Sequence, residues 1–494
     1  MIMYISPSGL DENDGLSKSS PKKTVSACVA AGAARISAKR GVYKERISFV
    51  NTLKELEIFP TDNDLTYSTG LVRDPIIFDM SDTIDTTSIV SYNSIKRFAY
   101  SNSENTCFDK VFIKQSQTPL YGDGYGSRYN ATMWLFSEDE KQVCLKLKPV
   151  LTVAECEAEV NTFVYSENYV YFNADMTSVT KVIVPTIWEN AINIEGADRL
   201  ILKEVEVRFG GCYNINVKNC AYFDFYKCAC KYTTYGSGFH PLNSNGIMTS
   251  CYATKNFDGY GISGYGHTTY VDCVSEFNFD DGMSHHDATT GTVIGGRYEG
   301  NGKGGNTPAY GAKVNIYGGI YKNNASFGIG YLSASSSGHA DGKVEGAILV
   351  DNPIGLVVNA NCNVTASGCV YKDNTKEKEI KGNLTEYNGS YVSNEGNDNN
   401  INDSETIHYT NLLKEHSYEA DRTTPYNNGK GYKMSRRLSA SSNGAETSAQ
   451  ENSGVTGFIE AKVNDVIRIQ GTSPISGQTS YLMTYDSSNT LIGY

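Results

Sequence analysis

Residues 278–287 carry the densest set of side chains that could do acid–base chemistry. They read Asn-Phe-Asp-Asp-Gly-Met-Ser-His-His-Asp, and four of the seven histidines of the chain fall within residues 240–286. Histidine titrates near neutral pH, and two carboxylates held close together cannot both ionise cheaply, so one of them has its pKa raised. A protonated carboxyl beside an ionised one is the pair that glycoside hydrolysis requires. This segment is therefore the first candidate for a catalytic site.

A repeat in the sequence predicts which residues lie next to this segment in the folded chain. Anchor positions recur every 22 or 23 residues, with one step of 27, at Val205, Cys228, Cys251, Cys273, Gly296, Gly319, Gly346 and Gly368. Around the anchors the residues alternate between a mostly apolar face and a mostly polar one, as in a strand. Five places after the later anchors an Asx residue recurs, as Asn256, Asn278, Asn301, Asn324, Asp351 and Asp373. An Asx residue at a fixed place indicates a tight turn.

A second short strand follows each turn. Its inward residue recurs ten or eleven places after the anchor, as Ile215, Phe239, Ile262, Met283, Ile329 and Leu356. Short strands joined by an Asx turn at this period predict a parallel β-helix, because each coil can bury its apolar face only against its neighbours. Coils stack roughly 4.8 Å apart, so equal positions in adjacent repeats form ladders of touching side chains.

The ladder seven places after the anchor contains candidate catalytic carboxylates. It reads Tyr235, Asp258, Asp280 and Lys303. Asp258 and Asp280 are therefore expected one coil apart, between an aromatic residue and a cation. Asp281 supplies a third carboxylate. We predict all three aspartates, together with His286, as catalytic residues.

Histidines, tyrosines and two cations near the carboxylates are candidates for substrate binding. Alternation from an inward Met283 sends His286 outward and His285 inward, which makes His286 the better proton carrier. The predicted binding residues are His240, His267, Tyr235, Tyr260, Tyr265, Arg297 and Lys303. Tyrosine rings can stack on sugars through their apolar faces, and a lyase would use the cations on a uronate carboxylate. The alternative interpretation is structural, since Asx-rich turns and stacked tyrosines also arise without catalysis.

Metal binding has less support from the spacing. The sequence contains no CxxC pair, and the adjacent residues His285, His286 and Asp287 would point to opposite faces of a strand and so rarely bind one ion. Calcium bound by the three aspartates is the better alternative, because calcium prefers clustered oxygen ligands. We predict no required metal or cofactor, with calcium (Ca2+) as the open alternative.

Charge and hydropathy exclude several kinds of partner. The formal net charge is −12 and no basic stripe is visible, so nucleic acid is not expected as a partner. No apolar run approaches the roughly 18 residues of a membrane span. The first residues also lack the basic and apolar regions of a secretory signal, so we expect neither membrane insertion nor a signal peptide. The 12 cysteines are spread along the chain, which fits reduced thiols and folding in a cytoplasm.

The coil pattern, with a cap at its N-terminus, accounts for about residues 1–390. Between residues 117 and 186 the pattern is lost, which predicts an inserted subdomain that either borders a groove or only packs as a flap. Residues 391–404 are polar and indicate a linker. Residues 405–494 contain short strand-like runs that predict a small β-sandwich module, which we expect to be truncated.

The asparagine ladder and the coil length resemble the right-handed β-helix of the pectate-lyase-like superfamily. The opening of the chain adds to the resemblance, with Tyr-Ile-Ser-Pro-Ser-Gly at residues 4–9, Asn-Asp-Gly-Leu-Ser at 13–17 and Lys-Arg-Gly-Val-Tyr at 39–43. In such proteins a short helix caps the first coil, and here it is expected over residues 25–34. Several aspartates on adjacent coils with a histidine are similar to the site of polygalacturonases, although the Gly-His-Gly and Asn-Thr-Asp patterns of that family are absent.

The resemblance implies a protein that acts on polysaccharide. Residues 427–432, Asn-Asn-Gly-Lys-Gly-Tyr, resemble modules appended to phage tail proteins. We therefore expect a phage tail spike that folds in the host cytoplasm, joins other tail proteins in the virion, and binds and depolymerises bacterial surface polysaccharide. Spikes of this fold are typically homotrimers, so the resemblance implies a trimer. A glycoside hydrolase is favoured over a lyase. The alternatives are a cellular polysaccharide hydrolase or lyase and a non-enzymatic carbohydrate-binding adhesin.

Overall fold

Each regular coil of the chain contributes one strand to each of three parallel sheets, which together form a right-handed parallel β-helix of about 13 turns. This confirms the predicted fold class. The computed structural model describes residues 1–392 apart from 62–74, 101–132, 137–143, 178, 188, 234–235 and 335–337, and four short strands after residue 392. Each regular coil has three strands, whereas the sequence predicted two. The third strand was missed because no recurring Asx residue marks it in the sequence.

The three sheets are numbered from the anchor strand onward. Sheet I has 11 strands, which are Gly41–Tyr43, Ile76–Asp79, Val205–Arg208, Ala229–Lys231, Tyr252–Thr254, Val274–Glu276, Arg297–Glu299, Ile320–Lys322, Ile348–Val350, Val370–Lys372 and Ser390–Val392. Sheet II has 10 strands, which are Ile47–Val50, Ile192–Glu195, Ile215–Lys218, Phe239–Leu242, Tyr260–Ile262, Met283–His285, Gly304–Pro308, Phe327–Tyr331, Ile354–Val358 and Lys376–Ile380. Sheet III has 12 strands, which are Ile2–Ile5, Arg35–Ala38, Glu55–Pro60, Arg199–Lys203, Tyr222–Tyr226, Gly246–Thr249, His267–Val271, Thr290–Ile294, Lys313–Tyr317, Asp341–Glu345, Asn363–Ser367 and Asn383–Tyr387.

One or two residues with positive φ turn the chain from sheet III into sheet I. Glu204 and Asp272 take this conformation in two coils, and Gly346 and Gly368 take it in two later ones. The predicted anchors Gly346 and Gly368 are therefore wrong by one residue, and the true anchors are Ala347 and Cys369. The error arises because glycine suits the left-handed bend as well as the anchor position beside it.

An asparagine ladder lines the turn between sheets I and II. In each pair, Oδ1 of one asparagine accepts hydrogen bonds from the backbone N–H and from Nδ2 of the asparagine one coil earlier. The ladder runs through Asn256, Asn278, Asn301, Asn324, Asn352 and Asn374. The predicted members Asp351 and Asp373 are wrong, since both hold the left-handed position just before the ladder. Both positions favour Asx residues, so the sequence alone left their order ambiguous.

Stacked side chains fill the interior of the coils. The thiols of Cys228, Cys251 and Cys273 donate to carbonyl oxygens of the preceding coil at 3.2, 3.4 and 3.4 Å. The rings of Phe239 and Tyr260 stack with centroids 5.0 Å apart, and the Tyr260 hydroxyl donates to the carbonyl of Cys251. Tyr260 is therefore a core residue, and its predicted role in sugar binding is wrong. Nine of the described cysteines are buried with free thiols, as expected.

The first coil begins with a short capping helix. It spans Val25–Ala30, and the Thr24 hydroxyl accepts the backbone N–H of Ala27. The helix was predicted to reach residue 34, but Gly32 takes a φ of 85° and ends it, as glycine commonly does after a helix. Val25 and Cys28 bury the inner face of the helix against the core of the first coils.

The chain leaves the coils to build a separate eight-stranded sheet. In sheet order its strands are Ser81–Ile84, Lys181–Pro185, Met133–Phe136, Cys144–Pro149, Thr162–Ser166, Tyr169–Asn173, Ile95–Ala99 and Val90–Tyr92. A helix, Val153–Ala158, and a 3-10 helix, Thr86–Ser88, accompany it. The sheet takes strands from Ser81 onward, earlier than residue 117, where the sequence placed the start of the insertion.

The remaining described strands form three short antiparallel pairs. They are Ser333–Ala334 with Gly338–His339, Lys433–Met434 with Gly454–Val455, and Thr484–Tyr485 with Leu491–Gly493. The predicted linker 391–404 and the predicted β-sandwich module 405–494 lie almost wholly outside the described residues. Across the described part of the chain, no helix has the length and apolar character needed to cross a membrane.

Replacing Asn301 with alanine tests whether the ladder holds the coils together. Asn301 is buried, and its side chain makes hydrogen bonds with Asn278, Asn324 and the carbonyl of Ser275. Asn301→Ala leaves several buried groups without partners and should lower the free energy of unfolding by about 3 kcal/mol. Urea unfolding measures the change. The control Asn315→Ala removes an exposed asparagine of sheet III and should change stability by less than about 0.5 kcal/mol. Equal effects would contradict the ladder's role.

Candidate active site

Two aspartates from neighbouring coils lie side by side where the chain enters sheet II. Tyr260 pairs with Met283 in this sheet, so Asp258 and Asp281 occupy equal positions two residues earlier. The backbone N–H of Asp281 donates to Oδ1 of Asp258 at 3.1 Å. The predicted pairing of Asp258 with Asp280 is therefore wrong, because the turn before Met283 holds one residue more than the turn before Tyr260.

Asp281 is held by donors from the next coil. Its Oδ1 accepts the backbone N–H of Gly304 at 3.0 Å and the hydroxyl of Thr307 at 2.7 Å. Its Oδ2 accepts from Nζ of Lys303 at 3.0 Å. The side chain is 1% exposed. These contacts use both oxygens of Asp281 to position the surrounding backbone and the lysine.

Asp258 has the properties of a general acid. Burial raises the pKa of its carboxyl well above the usual range, and the negative charges of Asp281 and Asp280 raise that pKa further, while the ammonium of Lys303 opposes them. A carboxyl with a raised pKa keeps its proton near neutral pH and can donate it to a leaving group. The three aspartates each place one oxygen within 4.8 Å of the others.

Lys303 supplies the positive charge of this cluster. Besides its hydrogen bond to Asp281, its Nζ lies 3.7 Å from Oδ2 of Asp280. Three clustered carboxylates also match the oxygen ligands that calcium prefers. The ammonium of Lys303 serves two of the three carboxylates, those of Asp280 and Asp281. Calcium binding stays a prediction.

A serine and a histidine form a close pair on the outer face of sheet II. Ser284 and His286 both point outward, as alternation predicted, and Oγ of Ser284 lies 2.7 Å from Nε2 of His286. Burial lowers the pKa of His286, while the charges of Asp281 and Asp287 partly oppose this effect. The imidazole is therefore neutral near pH 7. The ring of Tyr310 meets it edge to face at 5.1 Å.

His240 lies on the same outer face. It belongs to the strand that pairs with Tyr260–Ile262, and its Nδ1 contacts Oδ1 of Asn216 at 2.7 Å. An amide oxygen only accepts, so the proton sits on Nδ1 and leaves Nε2 as an acceptor. Burial lowers the pKa of His240 to about 3, with a smaller contribution from His286. The ring of Tyr213 stacks on the imidazole at 3.8 Å.

The inserted sheet packs next to the aspartates. Trp134 lies 6.0 Å from the ring of Phe279, which directly precedes Asp280 in the chain. Trp134 and Phe136 also contact the rings of Phe209 and Tyr232 from neighbouring coils. The insertion is thus anchored beside the candidate site.

The structure does not bring all the predicted binding residues to this site. His267 begins a strand of sheet III, where its ring contacts Thr269 and Thr290. Arg297 lies in sheet I and forms ion pairs with Glu276 and Glu299. Tyr265 is 71% exposed in the turn after sheet II. Tyr235 falls outside the described residues.

The sequence missed three residues that line the site. Tyr213 stacks on His240, Tyr310 contacts His286, and Thr307 binds Asp281. Tyr213 and Tyr310 lie in turns, and the sequence repeat does not predict where turn residues lie in space. Thr307 pairs with Ser284 in sheet II, so a correct register of that strand would have found it.

Two solved structures are similar to this chain at low sequence identity. No protein-family model matches it, and no curated protein sequence matches it. A solved structure described as the complex of XylC with xylose aligns with 79% of this chain and 68% of its own, at 11% identity and a TM-score of 0.40. Another, described as a glycoside hydrolase, aligns with 85% of this chain and 99% of its own, at 11% identity and a TM-score of 0.39.

The buried histidine His285 should make the protein sensitive to acid. Its ring lies inside the coils against Tyr270, and burial lowers its pKa to about 3. The unfolded chain binds this proton near pH 6.5, so unfolding is favoured as the pH falls from 6.5 toward 3. When the pH falls from 6.5 to 4.5, the free energy of unfolding should decrease by about 2 kcal/mol less in His285→Leu than in the wild type.

Urea unfolding of both proteins across this pH range measures the difference. The other titrating groups, including Asp258 and His240, are present in both proteins, so their contributions to the pH dependence cancel in the comparison. The matched control is His339→Leu, which removes an exposed histidine and should leave the pH dependence unchanged. A variant at 285 with the same pH dependence as the wild type would contradict the assignment of a buried neutral imidazole.

Lys303→Met should destabilise the protein at neutral pH more than at acid pH. The substitution leaves the buried carboxylates of Asp280 and Asp281 without their cation, and removing one partner of such a cluster costs roughly 3 kcal/mol. The loss should shrink as the pH falls to 4, because a buried carboxylate that has lost its cation favours its neutral, protonated form. Urea unfolding at pH 7.5 and 4 compares it with Lys322→Met, whose partner Asp351 is half-exposed and which should have little effect. A loss independent of pH would point to packing alone.

Proposed function

We propose that this protein binds a polysaccharide along its β-helix and cleaves it as a glycoside hydrolase. The observation that carries the proposal is the buried Asp258, whose carboxyl has a raised pKa beside two further carboxylates and one ammonium. Glycoside hydrolysis needs one protonated and one ionised carboxyl.

Asp258 acts in this proposal as the general acid and Asp280 as its partner. Asp258 protonates the oxygen of the leaving sugar, and the carboxylate of Asp280 attacks or stabilises the developing positive charge at the sugar. Asp281 serves as a positioning residue, since its oxygens are occupied by Gly304, Thr307 and Lys303. The short distance between the carboxyl groups fits a retaining mechanism better than an inverting one.

The outer face of sheet II offers the binding surface. Tyr213 and His240 lie on coils before that of Asp258. His286 lies on the coil of Asp280 and Asp281, and Tyr310, which contacts it, lies on the next coil. Equal positions on adjacent coils repeat roughly every 4.8 Å, close to the length of one sugar unit, so a chain laid along the axis contacts successive coils. Aromatic rings that flank the aspartates can hold sugar rings through their apolar faces.

We also propose that the polysaccharide is bacterial and that the protein is a tail spike of a phage. The buried free thiols fit folding in a reducing cytoplasm better than secretion through an oxidising compartment. The resemblance of residues 427–432 to phage tail modules points the same way. A spike of this kind would assemble as a homotrimer with other tail proteins. Sedimentation of the purified protein tests the trimer, and a monomer would contradict it.

Asp258→Asn and Asp280→Asn should each lower polysaccharide cleavage by about a thousandfold while leaving the fold intact. The protein is incubated with surface polysaccharides of candidate hosts, and mass spectrometry identifies the products. Hydrolysis adds one water across each cut bond, whereas elimination gives an unsaturated product. The matched control is Asp198→Asn, an exposed aspartate in a turn, which should cleave like the wild type.

Two results would overturn this assignment. Unchanged cleavage by both variants would remove the aspartates from the mechanism, and an unsaturated product would make the protein a lyase. Binding without any cleavage would instead support a carbohydrate-binding adhesin.

A further inference from the structure

Ser284 and His286 have the geometry of a nucleophile and its base. The hydroxyl of Ser284 lies within hydrogen-bond reach of Nε2 of His286, and the two residues share one face of the same strand end. A serine hydroxyl is a weak nucleophile until an adjacent base removes its proton. The roles proposed above for the aspartates do not use this pair.

Neighbouring residues hold both the backbone and the ring of His286. The backbone N–H of His286 donates to the carbonyl of Ile262 on the preceding coil, and the hydroxyl of Thr289 donates to its carbonyl. The ring of Tyr310 packs edge-on against the imidazole. A base fixed in this way loses little freedom when it accepts a proton.

The position of Ser284 defines the tautomer that His286 needs as a base. Asp281 and Asp287 are the carboxylates that act on the ring, and Lys303 is the opposing cation. Because Nε2 faces Ser284, the ring acts as a base when its proton is on Nδ1. Nε2 then presents its lone pair to the serine hydroxyl.

We propose that Ser284 and His286 hydrolyse small acyl esters carried on carbohydrate, with acetyl as the preferred group. The carbohydrate part of this ester substrate rests on the proposed function, whereas the ester hydrolysis itself does not. Ser284 is 2% exposed, so only a small acyl group can reach its oxygen, which is why acetyl is the preferred group.

The reaction proceeds in two balanced steps. Oγ of Ser284 bonds to the ester carbonyl carbon while Nε2 of His286 takes the hydroxyl proton, and the sugar oxygen then leaves with that proton. Water next attacks the acyl-serine, again giving a proton to His286, and releases acetic acid and free Ser284.

A fluorophosphonate probe tests the nucleophile directly. The full chain is treated with the probe, in which a serine oxygen displaces fluoride from phosphorus, and peptide mapping by mass spectrometry locates the adduct. We expect one adduct, on Ser284. His286→Gln should slow labelling at least a hundredfold, as loss of a general base does. The matched control is Ser263→Ala, on the neighbouring coil of the same sheet, and it should label like the wild type.

Acetate release from acetylated xylan and from p-nitrophenyl acetate tests the activity. Ser284→Ala should lower both rates at least a hundredfold, with circular dichroism confirming the fold. No adduct on Ser284 of the wild-type protein, or acetate release that survives Ser284→Ala, would overturn the proposal. Labelling requires no polysaccharide and no variant, so this result is independent of whether the aspartates cleave glycosidic bonds.

Discussion

Coil-to-coil pairing is the constraint on which the rest of this structure depends. Each strand hydrogen-bonds to the equal strand of the next coil, so a residue's neighbours are set by its place in the repeat rather than by its place in the chain. The asparagine ladder enforces this register at one corner, because the Oδ1 of Asn301 and its equivalents accepts two hydrogen bonds from the coil before. A shift of one residue would break these buried bonds and turn apolar side chains outward.

The same register creates the electrostatics of the candidate site. Parallel pairing places Asp258 directly beside Asp281, with Asp280 and Lys303 in adjoining positions. In water such carboxylates would separate, but the backbone fixes them, and burial raises the pKa of Asp258. The fold's stability is thus used to hold an arrangement of charges that is unfavourable by itself.

The outer face of sheet II brings hydroxyl, imidazole and aromatic side chains together on a rigid backbone. Its strands are short and its outward residues are small or polar, as with Ser284 and Thr307. Larger rings come from the turns, where Tyr213 and Tyr310 contact the two histidines. The inserted sheet packs through Trp134 against Phe279 and so fixes one border of this surface. A rigid ladder flanked by variable turns is a common way to build sites on repeat proteins.

The sequence by itself determined the β-helix, the repeat length, the inward Met283 and His285, and the outward Ser284 and His286, because period and alternation are local properties of the chain. It also brought the three aspartates and Lys303 into one group. Only the tertiary structure decided which aspartates pair, that Tyr260 is a core residue, and that the later ladder members are Asn352 and Asn374. The physical reason is that one extra residue in a turn changes the register without changing the composition, and hydrogen bonding between coils alone selects which alignment forms.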